Sequence, residues 1–209
     1  AILDDSPIDL DANILSATIN VGAGAVGVNV ALVGNLVVNI TEAKIDDSIV
    51  TSTFGKVALG SASESGITSF NVGVGGGAVA VNVVGYGNVI TSIVGSTVEN
   101  GSVIDAGGAV AITAENEAAI RALGIGVAGG AVAVGVMAAG NLIVSSTAAS
   151  VDASEVFSGT TLDIGAYSDM DILALTGSVG AGAVGVNVSF SANIITGTTM
   201  AGVVAGSVL

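Results

Sequence analysis

No cysteine, histidine or tryptophan occurs in this chain of 209 residues, and proline occurs once, at Pro7. Without cysteine there is no disulfide framework. Without cysteine or histidine there is no zinc finger, thiolate or imidazole metal site. The lack of histidine also removes the commonest general acid–base group. Basic residues are nearly missing: 3 Lys and Arg stand against 17 Asp and Glu, a formal charge of −14. So few cations cannot track phosphates, which excludes nucleic acid as a partner. Aromatics make up only 3% of the chain, so a core has to be built from Val, Ile, Leu and Ala. Ala1 to Leu10 carries acids and no basic run, so no secretory signal is read there. The absence of cysteine fits an exterior location, where thiols are a liability.

What the chain does have is 32 glycines and a repeat. Asn35, Asn88, Asn141 and Asn193 are spaced by 53, 53 and 52 residues, and Asn29, Asn82, Gly135 and Asn187 follow the same steps. VGAGAVGVNV at Val21 to Val30 recurs unchanged at Val179 to Val188, with GAVAVNV and GAVAVGV in phase between them. Four copies, roughly 1–51, 52–104, 105–157 and 158–209, form a single array. Within each copy apolar residues recur at every second position, and Val79, Val81 and Val83 share a face opposite Ala78, Ala80 and Asn82. Period two with Val, Ile and Thr predicts strands, and polar clusters such as ENGS (Glu99 to Ser102) and DASE (Asp152 to Glu155) predict corners. The uncharged run Gly124 to Val144 is long enough for a membrane helix. Its Val/Gly composition, the scarcity of Lys and Arg in the connecting segments, and the missing aromatic belt argue against insertion.

The class these features predict is all-β: a right-handed parallel β-solenoid. Dividing the unit by three gives about 18 residues per rung, hence about twelve rungs and a rod about 55–60 Å long. Valine ladders are expected to fill its interior. The opposite row, Ala25, Gly27, Ala78, Ala80, Ala131, Ala133, Ala183 and Gly185, then faces outward as a lateral packing face. The asparagines Asn29, Asn35, Asn82, Asn88, Asn141, Asn187 and Asn193 read as structural turns or internal amides rather than a ligand-facing row. With three rungs per copy they are too far apart to form a continuous ladder.

The stretch GAVAITAENEAAIRALGIGVAGGAVAVGVMAAGNLIVSSTAASVDAS, from Gly108 to Ser154, has equivalents in every copy. It resembles the repeat region of large bacterial secreted surface proteins: filamentous-haemagglutinin-like adhesins, autotransporter passengers and leukotoxin-like giant proteins. The resemblance implies an extracellular stalk or fibre at the bacterial surface. Its implied partner is the protein itself, head to tail or side by side, and the alternative is a host glycan or protein bound on a lateral face. No Arg-Gly-Asp occurs, so adhesion is implied at class level only. The end GSVL (Gly206 to Leu209) matches GSVI (Gly101 to Ile104), as expected of a slice of a longer solenoid or of subunits stacked in register.

Neither a catalytic nor a cofactor site is expected. Lys44, Lys56 and Arg121 lie in different parts of the array and do not converge with a carboxylate pair. The acid pairs Asp4/Asp5, Asp46/Asp47, Glu115/Glu117 and Asp169/Asp171 supply oxygen ligands of the kind Ca²⁺ takes, but no GGxGxDxUx motif accompanies them. Solvated charge that keeps an apolar rod soluble explains them more simply. Thr198 and Thr199 are too isolated to form an ice-binding array.

Overall fold

The computed structural model describes residues 8–204 and 206–209; Asp4, Asp5 and Pro7 lie outside this range. Every described element is a strand: β1 (Ile8–Ala23), β2 (Val26–Asp46), β3 (Ile49–Ser52), β4 (Val57–Gly76), β5 (Val79–Glu99), β6 (Val103–Ala106), β7 (Val110–Gly129), β8 (Val132–Val151), β9 (Glu155–Ser158), β10 (Leu162–Ala181) and β11 (Val184–Val203). They form three sheets. The first wall is β1-β4-β7-β10, the second is β2-β5-β8-β11, and a short third wall is β3-β6-β9. All the pairings between named strands are parallel. This is a parallel β-solenoid, as the alternation predicts.

The rung count differs from the expectation. Asn35 pairs with Asn88 and Asn88 with Asn141, so one whole copy makes one rung. There are four rungs, not about twelve. Each long strand carries 20 or so residues of unbroken alternation. At 3.3 Å per residue such a strand runs about 65 Å, whereas four rungs at about 4.8 Å rise only about 19 Å. The molecule is therefore a broad blade rather than a rod. Strands of ordinary length would give three rungs per copy, but glycines inside the long strands, such as Gly66, Gly85 and Gly87, do not end them.

Each rung tapers. At its broad end the third wall holds the two long walls apart around Val94, Val98, Ile104, Ile112 and Val151. Next comes a polar belt, in which Asn39 donates to Ser63 (2.7 Å), Ser61 meets Ser96 (2.9 Å) and Asn116 donates to Ser145 (3.1 Å). A second apolar layer follows, with Ile67, Ile90, Ile120 and Ile143. Farther on, the interior residues shrink to Ala80, Ala128 and Ala133. The two walls finally join at a tight tip, where Gly77, Gly130 and Gly182 stack. A Cβ on any of these would run into the carbonyl oxygen of the glycine one rung before: Gly24, Gly77 or Gly130. Only a residue without a side chain permits this approach.

The corners between the second and third walls fall at the polar turns. Asp47, Asn100 and Ala153 adopt left-handed backbone there, with φ of 43°, 60° and 45°. A serine column locks this corner: the amides of Ser48, Ser102 and Ser154 donate to the hydroxyls of Ser102, Ser154 and Ser207. One extra residue at Gly101 disturbs the serine spacing in sequence, which hid the column from repeat counting.

Candidate functional site

The lateral packing face is corrected by the structure. Ala80 and Ala133 are fully buried, packed with Ala128 inside the blade, and Gly27 is buried on the same inner row. Ala25, Ala78, Ala131 and Ala183 sit in the exposed turns at the tip. Gly185 aligns with Ala133 but is exposed in β11, the outermost strand of its wall. The small residues are inside because the walls converge: a Cβ on Gly27 would run into the Gly76 carbonyl across the wedge. The valines expected inside face outward instead. Val26, Val28, Val30, Val184, Val186 and Val188 are all about half exposed or more, and Val79 and Val132 are more than a third exposed even in the middle rungs.

The asparagines are brought together rather than kept apart. Asn35 donates to Asn88 (2.7 Å), Asn88 to Asn141 (2.8 Å) and Asn141 to Asn193 (2.8 Å), an amide ladder through all four rungs. Serines on the opposite wall take further N–H donations, Asn35 to Ser16 and Asn88 to Ser69. In the second series Asn29 donates to Asn82 (2.7 Å), and Asn82 then turns to the Gly73 carbonyl (2.9 Å). Gly135 supplies no amide to continue it to Asn187. Both series point inward, so neither is a ligand-facing row. The one-rung copy makes the ladder possible, because equivalent residues lie about 4.8 Å apart. Tyr86 is also interior, and burial pushes its phenol pKa up, so it stays neutral.

Charge is confined to the broad end. Ala12 to Thr41, Ser65 to Val98, Ala122 to Val151 and Ile172 to Leu209 contain no Asp, Glu, Lys or Arg. On the outer face of the first wall Glu64, Glu117 and Asp169 stack in register, and all three are exposed. Arg121 pairs with Asp171 beside them. Lys44 lies 3.7 Å from both Glu42 and Glu99, and Asn100 donates to Asp46. Among the described residues no group of three or more acids is arranged to hold a metal ion. No described helix is long and apolar enough to cross a membrane.

The outer face of the second wall carries no charge from Val26 to Ile40 or at the matching residues of the other rungs. Toward the tip it carries aliphatic columns running along the stack, and toward the broad end Thr91, Ser146, Thr196 and Thr198 enter them. Three are all valine, and one reads Leu36, Val89, Leu142, Ile194. Between them Gly34, Gly87, Gly140 and Ala192 form a furrow, part of an apolar depression of about 510 Å³ rimmed by Leu32 and Phe190. No protein-family model matches the chain, and no curated protein and no solved structure matches it at a significant level.

Proposed function

We propose that the chain is a structural β-solenoid segment of a bacterial extracellular fibre or adhesin stalk, with no catalytic role. One observation carries this reading: every copy adds one rung to the same three walls at an almost constant offset. Such a stack lengthens by repetition and stiffens along its axis through continuous backbone and side-chain ladders. The interior supports it, since the Asn35 series and the corner serines hydrogen-bond from rung to rung along the stack. The extracellular placement is supported by the absence of cysteine and by the resemblance to secreted repeat proteins. Electron microscopy and fibre diffraction of the purified chain test it. The expected result is elongated assemblies with a repeat of about 4.8 Å along the long axis. Compact single particles that lack this axial repeat at every concentration would refute the reading. Specific retention on a glycan array would replace it with a binding module.

A further inference from the structure

We infer that the outer face of the second wall is a self-association surface that pairs with the same face of a second copy. This deepens the fibre reading and rests on it. The first argument is the contrast within one molecule. The first wall carries Glu64, Glu115, Glu117 and Asp169 on its outer face and is free of charge over at most 12 residues of any rung, such as Ser65 to Gly76, whereas the second wall carries no charge over the 15 residues from Val26 to Ile40 or at the matching residues of the other rungs. An exposed apolar patch larger than a few hundred Å² marks an interaction site.

The second argument is area. The uncharged stretch is about 50 Å long and about 19 Å tall at ordinary strand rise and spacing, hence about 900 Å² per copy, with its hydroxyl residues Thr91, Ser146, Thr196 and Thr198 gathered at one end. A stable, specific interface needs about 800 Å² per partner. The third argument is shape. The glycine furrow at Gly34, Gly87 and Gly140 lies next to the ridge at Leu36, Val89 and Leu142. A two-fold axis parallel to the columns, placed between furrow and ridge, seats each copy's ridge in the other's furrow. It leaves the solenoid axes parallel, so rungs meet rungs in an isologous contact.

Charge selects the occupant. Two chains of net charge −14 repel, and pairing through the charge-free part of the second wall keeps the acids of the first walls on opposite sides of the pair, where that repulsion is least. A bilayer surface would instead favour cations and an aromatic belt beside the apolar face. Here Phe190 is the only aromatic on that face of the second wall.

Sedimentation equilibrium on the purified chain tests the inference, run alongside flotation with zwitterionic and anionic vesicles. The expected species is a dimer of the 19.8 kDa chain that does not float. Val89→Lys with Leu142→Lys should raise the dimer dissociation constant by about a hundredfold or more, since it sets cations against an apolar partner. Val89→Thr with Leu142→Thr keeps strand-forming residues and should weaken the dimer while leaving circular dichroism unchanged. Glu64→Gln with Glu117→Gln, on the other wall, should leave the mass unchanged. A wild-type monomer at tens of micromolar, or one that floats with vesicles, overturns the inference. Association insensitive to the second-wall variants also overturns it, yet leaves the fibre reading standing, because end-to-end stacking would produce that result.

Discussion

The two asparagine series are the same residue at the same repeat, and the structure treats them differently. The series at Asn35, Asn88, Asn141 and Asn193 is continuous, each amide closing on the next. The series at Asn29 and Asn82 stops at Gly135, and Asn82 donates to a backbone carbonyl instead. The difference is set by the residue in the third rung, Asn141 in one series and Gly135 in the other. The continuous ladder lies beside the broad isoleucine layer, where a full amide fits between the walls. The interrupted one lies nearer the tip, where Asn29 and Asn82 still fit between the walls but Gly135 has no amide to pass the chain on. A ladder thus needs the amide in every rung, and one glycine is enough to end it.

Replacing a tip glycine attacks the joint of the walls that brings both series together and should have the largest effect. Gly130→Val forces a side chain onto the Gly77 carbonyl. The loss expected is above about 4 kcal/mol, or outright failure to fold, read by chemical denaturation. Next comes Asn88→Ala in the continuous ladder. It strands the Asn35 donor and the Asn141 acceptor in a buried setting and should cost about 2–5 kcal/mol. Asn187→Ala in the interrupted series should cost under about 0.5 kcal/mol, because its neighbour in the register is Gly135. If the two alanine variants melt together, the distinction between the series is wrong.

Smaller effects sharpen it further. Gly135→Asn should reconnect Asn82 with Asn187, provided the Asn187 carbonyl oxygen, 2.7 Å from where the new Cβ would stand, swings aside. The gain expected is about 1 kcal/mol, a rise of about 2–4 °C in Tm by calorimetry. Ala153→Gly relieves an alanine held at φ 45° and should stabilise by about 0.5–1 kcal/mol. On the outer acidic column, Glu117→Gln removes like-charge contact with Glu64 and Asp169. It should stabilise by about 0.2–0.5 kcal/mol at low salt, with the difference shrinking as salt is added.

The repeat period, the strand alternation and the polar corners at ENGS and DASE were legible in the residues themselves. They are local or periodic properties, and stacking only repeats them. Which side of the Gly/Ala/Val strand points inward was not legible. Both faces are small and apolar there, and a period-two pattern reads the same after a flip. Rung length was not legible either, since an unbroken alternation carries no mark of where it bends. Those two matters were decided by the converging walls. At the tip they come too close for valine, so alanine and glycine go inside and the valines are left on the surface. Because one copy closes one full turn, equivalent asparagines come within hydrogen-bonding distance.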